Sequence, residues 1–401
     1  MKILVISNLY PPISYGGAEQ VAWDSVQEFC KKGHKVSVFS TRPFNKLTAF
    51  RLSKRERNNA TVYRIWPFNI YHILYASRFP FVARMLWHMI DLWSSHSYHV
   101  LKSILAKDTP DVIITHNLKG FGLKIVKAIR QSKIPHVHIL HDVQLSIPSG
   151  VLLAGEEHHW RNDSWLQRWY ENQVKKIIGS PDIVISPSKY LSNFYKERGF
   201  FPKSNFKILT NPTPDYVIRI QKNRPSKYMR LFFGGKLEKH KGILVLLDAL
   251  EKVKSPVHLH VVGNGTLADY ISKRVYHDNR ITYHGAVVQT HLMELMAICD
   301  VAIVPSTCYE NSPRIIYECF HLGIPAIGTK IGGTNELIKE GENGMLVEPN
   351  NPEVLAHAID EVFSKIGFYF DNANKIRASV EACSAKQYVE KLEEFISEIK
   401  R

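Results

Sequence analysis

Short apolar runs alternate with amphipathic stretches along most of the chain. The run KILVISN is rich in β-branched residues, and the stretch AEQVAWDSVQEFCKKGH after it has apolar residues at helical spacing. Gly33 ends this predicted helix, and KVSVFST predicts the next strand. A strand, a helix and a second strand in this order form the repeating unit of a doubly wound parallel sheet. The runs DVIITHN, IPHVHILHD and PDIVISPS continue the alternation.

The alternation is interrupted by NPTPDYVIRIQKNRPSKYMR, a stretch rich in proline and charge, near residues 205–229. After it, LFFGGKL, VHLHVVGNG, ITYHGAV, DVAIVPS, IPAIGT and GMLVEP predict further strands. A chain of 401 residues is longer than one hydrophobic core usually organises. We therefore predict an α/β protein with two Rossmann-like domains, over residues 1–204 and 205–375. Residues 376–401 contain an amphipathic helix that we expect to pack back towards the first domain.

The motif YENSPRIIYECFHLG follows the predicted strand DVAIVPS. Pro313 fits the first position of a helix, which Ser312 or Asn311 can cap and which Gly323 can end. Glu310 then lies in the loop at the carboxyl end of the strand. In open α/β sheets ligands bind outside these strand ends. Two such domains facing each other form a cleft, and this motif is expected to lie in it.

A second acid of the same motif, Glu318, lies about a turn and a half inside the predicted helix. The N–H groups of residues 313–315 and the helix dipole predict an anion site between the two carboxylates. Glu310 would then meet one end of an anionic ligand, and Glu318 a hydroxyl-bearing part at the other end. On this motif alone, two solvated surface acids are an equally open interpretation.

Two loops with glycines follow strands in the second half. In FFGGKLEKHKG, Lys236 and Lys241 lie near a strand end, where two ammonium groups suit a diphosphate. Solvated lysines are the more common alternative. VVGNGTLA matches G-x-G-x-x-A, but the acidic residue expected about 20 positions later is missing. We interpret Gly263 and Gly265 as a tight turn near a nucleotide and not as an NAD site.

Two stretches of the first half also suggest ligand contacts. YGGAEQ places Gly16 and Gly17 before a helix whose first turn carries Glu19, an arrangement similar to a helix-terminal ligand loop. HILHD places His141 and Asp142 just past a buried strand. No further ligands at suitable spacing support a metal cluster there. A single histidine acting on a hydroxyl or a phosphate is the better hypothesis.

The formal net charge of +15 favours an anionic partner, and the excess lies in the first half, with 27 basic against 14 acidic residues over 1–200. Residues 42–64 hold seven basic residues and one acid and precede an aromatic-rich stretch. Residues 42–104 therefore suit an anionic membrane surface or a lipid acceptor. Base stacking is a rival use of such residues, but no RNA-binding motif supports it, and we predict no nucleic-acid partner. Ordinary helix packing with a basic solvent face remains an alternative.

The five cysteines are few and have no CxxC spacing, which favours a reducing compartment. The first apolar run is too short for a signal peptide, and no stretch of 18 or more apolar residues predicts a membrane span. We therefore expect a cytoplasmic protein, peripheral at the inner face of the cell membrane if the basic stretch contacts lipid.

Together these motifs resemble those of the retaining GT-B glycosyltransferases of the GT4 family, also called glycosyltransferase group 1. The resemblance is carried by Glu-x7-Glu after a strand, the GG-basic-Leu-x3-Lys-Gly loop, VVGNG, GGTNELI and GENGMLVEP, and by NLYPPISYGGAEQ, HD and DIVISPSKYL. It is densest over residues 230–360 and leaves out 42–105. It implies two Rossmann-like domains facing each other across a cleft. The C-terminal domain would hold a UDP- or GDP-linked sugar, and the N-terminal domain an acceptor.

The resemblance also implies a role for each matching residue. Glu310 would contact hydroxyls of the donor sugar, and Glu318 the ribose. Lys236 and Lys241 would bind the diphosphate and stabilise it as a leaving group, and His141 would lie near the reacting sugar. The implied catalytic residues are Glu310, His141 and Lys241, and the implied donor-binding residues are Gly17 (near the phosphates), Lys236, Lys241, Gly263, Glu310, Ser312, Pro313, Arg314 and Glu318.

Two positions depart from the family pattern. Lys236 stands where arginine is usual and loses the bidentate contact with phosphate. TNPTPD replaces the usual Asn-Gly-Val-Asp near the hinge. The chain has no Asp-x-Asp, so we expect neither a metal nor another cofactor to be needed.

We thus predict a retaining, metal-independent glycosyltransferase that transfers a sugar to an acceptor hydroxyl in cell-surface polysaccharide or glycolipid assembly. A transferase with a soluble small acceptor and a non-catalytic subunit of the same fold remain alternatives. A nicotinamide dehydrogenase is disfavoured by the missing acidic ribose ligand.

Overall fold

The computed structural model describes residues 1–13, 16–213 and 227–399. The chain divides into two compact units. The first comprises Met1–Val151, His158–Pro212 and Ala385–Arg401, and the second comprises Leu152–Glu157 and Thr213–Ser384. Most of the predicted connecting stretch near 205–229 lies outside the described residues.

The first unit contains an eight-stranded sheet in the order β3-β4-β2-β1-β5-β6-β7-β8. All neighbouring strands are parallel except β3 and β4. The strands are β1 (Lys2–Ile6), β2 (Lys35–Thr41), β3 (Ser53–Arg57), β4 (Ala60–Ile65), β5 (Val112–Thr115), β6 (His136–Ile139), β7 (Ile183–Ser186) and β8 (Asn205–Ile208). Its helices are α1 (Gly17–Lys31), α2 (Phe81–Trp93), α3 (His96–Lys107), α4 (Ile125–Ser132), α5 (Trp160–Asp163), α6 (Trp165–Ile178) and α7 (Lys189–Glu197). Two 3-10 turns cover Leu47–Phe50 and Ile73–Arg78.

The second unit contains a six-stranded parallel sheet in the order β11-β10-β9-β12-β13-β14. The strands are β9 (Met229–Gly234), β10 (Val257–Val262), β11 (Ile281–Tyr283), β12 (Val301–Val304), β13 (Ala326–Thr329) and β14 (Gly344–Val347). Its helices are α8 (Ile243–Leu250), α9 (Ala268–Val275), α10 (Gln289–Ala297), α11 (Arg314–His321), α12 (Thr334–Leu337), α13 (Pro352–Ser364), α14 (Ile366–Asp371) and α15 (Ala373–Ala378). Two 3-10 turns cover Lys239–Lys241 and Glu381–Cys383.

The central strands are buried on both faces, as the continuous apolar runs predict. Every residue of β5, β7, β12 and β13 is buried. Each sheet also has a point where the strand order reverses. It lies between β1 and β5 in the first sheet and between β9 and β12 in the second. Loops at such a point splay apart at the carboxyl ends of the strands and leave a crevice for a ligand.

The domain boundaries differ from the predicted ones. The predicted boundary between residues 204 and 205 falls before β8, which pairs with β7 and so belongs to the first sheet. The last helix, α16 (Ala385–Ile399), is also part of the first unit. Its apolar face, which includes Tyr388 and Leu392, joins the core formed by β1 and α1. Residues 376–384 remain with the second unit.

Glycines allow the loops of the second sheet to approach one another closely. Gly263 has φ +141°, and a Cβ there would lie 1.8 Å from the carbonyl oxygen of Gly235. A Cβ on Gly265 would lie 2.5 Å from the carbonyl oxygen of Leu237. The loops after β9 and β10 therefore pack backbone against backbone, and the Leu237 N–H donates to the Asn264 carbonyl at 3.0 Å. Contact between the loops accounts for these glycines without a ligand.

No helix among the described residues is long and apolar enough to cross a membrane.

Leu392→Ala tests the attachment of α16. Leu392 is fully buried in the core of the first unit, so we expect the substitution to lower the free energy of unfolding of this unit by about 2–5 kcal/mol. Lys391→Ala on the same helix is the control, because Lys391 is exposed and pairs with the exposed Glu394. We expect a change within about 0.5 kcal/mol for it. Equal effects in urea unfolding would contradict the placement of this helix.

Gly263→Ala tests the packing of the two glycine loops. The new methyl group would overlap the Gly235 carbonyl oxygen, so we expect a loss of more than about 1 kcal/mol of stability. Gly367→Ala is the matched control, because a Cβ at Gly367 meets no atom within 4 Å and the residue lies in α14. There we expect a gain of up to about 1 kcal/mol. An unchanged unfolding midpoint for Gly263→Ala would refute the proposed packing.

Candidate active site

An ion pair spans the reversal point of the second sheet. Lys241 ends the 3-10 turn that follows β9, and Glu310 lies in the loop after β12. The Lys241 Nζ lies 2.5 Å from the Glu310 Oε1. The Ser306 hydroxyl donates to the same oxygen at 2.8 Å. The structure thus places two of the predicted catalytic residues side by side at the carboxyl ends of β9 and β12.

Both members of this pair carry their charge at neutral pH. Burial disfavours the ionised form of Glu310, but the neighbouring Lys241 outweighs it and lowers the pKa of Glu310 below its ordinary value of 4.5. Burial likewise opposes the charge on Lys241, and Glu310 raises the pKa of that ammonium group above 10.5. Glu310 is therefore not the solvated surface acid of the alternative interpretation.

The backbones that carry this pair are held by two further glycines. Gly332, in the loop after β13, has φ +59°, and a Cβ there would lie 2.4 Å from the Glu310 carbonyl oxygen. The Gly333 N–H donates to that oxygen at 2.7 Å. Gly242 has φ +74°, and a Cβ there would lie 1.7 Å from the Pro305 carbonyl oxygen. Side chains at these positions would force the strand-end loops apart.

The helix after Glu310 begins one residue later than predicted. Its first residue is Arg314, and Pro313 takes the N-cap position without a side-chain cap hydrogen bond. The predicted capping by Ser312 or Asn311 is therefore wrong. The Ser312 hydroxyl instead lies 2.8 Å from the Tyr317 hydroxyl. Because proline has no N–H, the predicted anion site can use only the amides that start at Arg314.

Glu318 is buried inside α11, with 5% of its surface exposed. The Gln289 side chain at the start of α10 donates to its Oε1 at 3.2 Å, and the Arg314 guanidinium lies 3.8 Å from that oxygen. A buried carboxylate with two such neighbours is also no solvated acid. As predicted, Gly323 follows the end of the helix, with φ +73°. Gln289 was not predicted, because no motif in the sequence around it indicates a contact with Glu318.

In the first unit, His141 lies just past β6 and contacts a second histidine. The His116 Nδ1 lies 2.9 Å from the His141 Nε2, and the rings stack with centroids 5.1 Å apart. Burial and the nearby His138 lower the pKa of His141 to about 3, so its ring is neutral at physiological pH. Sequence reasoning missed His116, although it follows the buried run DVIIT at the neighbouring strand end.

A buried polar cluster adjoins the loop after β5. Asp91 of α2 accepts hydrogen bonds from the Gly120 and Gly122 N–H groups, at 3.0 and 2.8 Å. Burial raises the pKa of Asp91 and of Asp142 to about 6, while the charge of Lys119 opposes the shift. Burial also lowers the pKa of Lys119 itself. Asp91 was not predicted, although it is the single acid in the apolar stretch FVARMLWHMIDLW.

Gly17 starts α1, with Gly16 at the N-cap and Glu19 buried in the first turn. Residues 14 and 15 of the predicted ligand loop lie outside the described residues. Gly17 and His141 are the predicted site residues of the first unit. All the others lie in the second unit and follow β9, β10 or β12: Lys236, Lys241, Gly263, Glu310, Ser312, Pro313, Arg314 and Glu318. The described residues contain no group of three or more His, Cys, Asp or Glu that could hold a metal ion.

Solved structures share this fold. Sucrose-phosphate synthase of Thermosynechococcus elongatus superposes with a TM-score of 0.76 at 19% identity, and 99% of this chain and 98% of that chain are covered. Anabaena HepE in complex with UDP-glucose superposes with a TM-score of 0.69 at 20% identity over the full length of both chains. At this level of sequence identity, structural similarity establishes the fold and not the function. The fold is GT-B, with two Rossmann-like domains.

Curated proteins are similar along most of the chain. The putative teichuronic acid biosynthesis glycosyltransferase TuaC of Bacillus subtilis is 23% identical over 90% of this chain and 88% of its own length. An uncharacterised glycosyltransferase of Methanocaldococcus jannaschii is 24% identical over 92% of this chain and 90% of its own length.

Two family models match adjacent parts of the chain. The model described as Glycosyltransferase Family 4 matches residues 15–214, and the model described as Glycosyl transferases group 1 matches residues 217–378. The first match covers most of the unit with the paired histidines, and the second covers the loops around the Lys241–Glu310 pair. The chain therefore belongs to the group 1 glycosyltransferases.

Proposed function

We propose that the protein is a retaining glycosyltransferase that transfers a sugar from a UDP- or GDP-linked donor to an acceptor hydroxyl. The proposal rests on the Lys241–Glu310 ion pair, which lies at the reversal point of the second sheet, next to the start of α11. The UDP and UDP-glucose complexes of HepE support a nucleotide-sugar donor. The similarity to TuaC supports a role in cell-surface polysaccharide or glycolipid assembly.

The donor diphosphate is proposed to lie against the loops after β9 and β12. Lys241 provides a charge that Glu310 holds in place, and Lys236 provides a second charge on the same loop. The N–H groups at the start of α11 add the positive end of a helix dipole. These groups act together as a preorganised site for the negative charge that develops on the departing diphosphate.

The two glutamates are proposed to contact the hydroxyl groups of the donor. Glu310 meets the sugar, because its loop lies at the carboxyl end of β12. Glu318 lies lower in α11, where Gln289 orients its carboxylate, and it accepts from the ribose hydroxyls. Gly17 at the start of α1 and Gly263 in its tight turn lie near the phosphates in this proposal.

The proposed reaction breaks the bond from the anomeric carbon to the phosphate oxygen and forms one to the acceptor oxygen on the same face. The acceptor proton passes to the departing phosphate, so no glutamate is needed as a nucleophile or base. Glu310 is poorly suited to attack, because Lys241 and Ser306 share one of its oxygens. In the first unit the neutral ring of His141 orients a hydroxyl on the acceptor side.

The acceptor is proposed to be lipid-linked, and the protein to bind the cytoplasmic face of an anionic membrane. Phe81, Val82, Met85 and Leu86 lie on α2 with their side chains exposed. Exposed Lys54, Arg55 and Arg57 lie on the edge strand β3 of the same unit. Exposed apolar residues on a helix together with exposed basic residues are typical of peripheral membrane binding.

Lys241→Ala and Glu310→Ala test the donor site. A screen of UDP- and GDP-linked sugars for thermal stabilisation first identifies the donor, and transfer or hydrolysis of that donor is then measured. Lys241→Ala removes a positive charge at the leaving group, and Glu310→Ala removes the carboxylate that holds Lys241 in place and contacts the sugar. We therefore expect turnover to fall by at least about 100-fold in a protein that stays folded.

Lys239→Ala is the matched control, because Lys239 lies in the same 3-10 turn with its side chain exposed. It should retain turnover. Full turnover of Lys241→Ala or Glu310→Ala would overturn the site assignment. Retained anomeric configuration and activity in the presence of a chelator are the expected results for the proposed stereochemistry and metal independence.

Flotation with vesicles tests membrane binding. We expect binding to phosphatidylglycerol vesicles that weakens with salt and is lost on phosphatidylcholine vesicles. Lys54→Gln with Arg55→Gln should weaken binding roughly 30-fold, at about 1 kcal/mol per basic residue. Lys330→Gln with Lys339→Gln, on exposed residues of the second unit, is the control. Binding that is indifferent to salt and to the first pair would leave the basic stretch as an ordinary solvent face.

A further inference from the structure

An apolar groove opens on the surface of the first unit. Its volume is about 590 Å³, which lies within the range of roughly 300–1,000 Å³ typical of ligand pockets. The walls come from the 3-10 turn Leu47–Phe50, the loop after β4, the end of α2 and the start of α3. The groove is lined by the apolar and aromatic side chains of Phe50, Phe68, Met89, Ile90 and Trp93 and by His96.

Ring contacts hold the aromatic side chains of the groove in place. The Phe50 ring lies 4.7 Å from that of Trp66 and 6.1 Å from that of His96. The Trp93 ring contacts that of Trp169 of α6, with centroids 5.9 Å apart. Trp93 and the flanking Phe68 nevertheless remain 41% and 60% exposed. A preformed apolar groove that is open to solvent has the character of a binding site.

The lining selects the class of ligand. Asp, Glu, Lys and Arg are absent from the described lining, so a sugar or a nucleotide would find few partners there. Basic residues lie at the rim instead. Arg51, directly after Phe50, is exposed, as is Lys46 at the other end of the same turn. A hydrocarbon chain in the groove with an anionic head group at the rim matches this separation of apolar surface and charge.

The helix that forms one wall also reaches the polar interior of the unit. Met89, Ile90 and Trp93 of α2 face the groove, whereas Asp91 of the same helix holds the Gly120 and Gly122 amides in the loop after β5. That loop begins at His116, the partner of His141. One helix therefore connects the groove with the side of the unit to which we assign the acceptor.

We infer that this groove binds the hydrocarbon chain of a lipid-linked acceptor, in which a phosphate at the basic rim joins the chain to the sugar that carries the accepting hydroxyl. The inference rests on the proposed function, since it specifies the acceptor of that same reaction. The exposed apolar residues of α2 would contact the membrane from which this chain is taken. The groove differs from that contact because it holds a single chain and not a bilayer surface.

Photoaffinity labelling with a diazirine-bearing dodecyl phosphate tests the inference. We expect the label on the residues that line the groove, and we expect excess dodecyl phosphate to compete with it. Inorganic phosphate and nucleoside diphosphates should not compete. Labelling that inorganic phosphate abolishes, or that lies outside the groove, would overturn the inference.

Ser95→Trp fills the groove at low structural risk, because Ser95 lines it, is exposed and makes no capping hydrogen bond for α3. Phe68→Ser removes an exposed aromatic side chain from the lining of the groove. We expect each to lower labelling at least 10-fold and to raise KM for a long-chain lipid-linked sugar acceptor by a similar factor, with transfer to its short-chain analogue unchanged. Ser103→Trp, the same change at an exposed position of α3 outside the groove, should have no effect.

Donor binding separates the two proposals. If UDP and GDP fail to stabilise the wild-type protein, the proposed function fails irrespective of the groove. If the donor binds and transfer occurs, but Ser95→Trp and Phe68→Ser match Ser103→Trp in every assay, only the lipid-chain inference fails. A concentration-dependent dimer that Ser95→Trp disrupts would assign the groove to a second copy of the chain and would also overturn it.

Discussion

Lys241 and Glu310 are joined by an ion pair at the one place in the second sheet where strand order reverses. Removing two charges from water is costly, and the attraction between them offsets that cost only when geometry is good and further hydrogen bonds are made. Here the Ser306 hydroxyl supplies such a bond. Gly242 and Gly332 let the loops that carry the pair approach their neighbours to distances that a side chain would prevent. The backbone thus fixes both charges before any ligand arrives.

This constraint explains why the same loops suit a donor with a diphosphate. A lysine that is held by a carboxylate does not have to lose much side-chain freedom when it meets a phosphate. The start of α11 lies a few residues after Glu310, so its amides and the lysine belong to one preorganised group. Glu318 lies further along that helix and is itself fixed by Gln289. In the proposed reaction the acids hold the donor, and the cations stabilise its departure.

Much of this arrangement could be predicted from the sequence. Pro313 separates a loop acid from a helix acid, and that local signal correctly predicted the places of Glu310 and Glu318. The capping prediction failed because the Ser312 hydroxyl pairs with the Tyr317 hydroxyl of the same helix and not with a backbone N–H group at its start. The role predicted for Gly263 was incomplete, because the residue packs against the Gly235 carbonyl, which is distant in sequence. His116, Gln289 and Asp91 were not predicted, because their partners lie in segments distant in sequence, although His116 and Asp91 also carried a local signal. The boundary at residue 204 was misplaced because the edge strand β8 is only partly buried and lacks the continuous apolar run of the equally short β5 and β7.

A crystal structure of the protein with UDP or GDP would show whether the donor diphosphate binds at the Lys241–Glu310 pair. We expect phosphate oxygens at roughly 2.7–3.2 Å from the Lys241 ammonium group and from amides at the start of α11, with the ribose hydroxyls on Glu318. A nucleotide bound elsewhere on the chain, with no phosphate in contact with Lys241, would contradict this prediction.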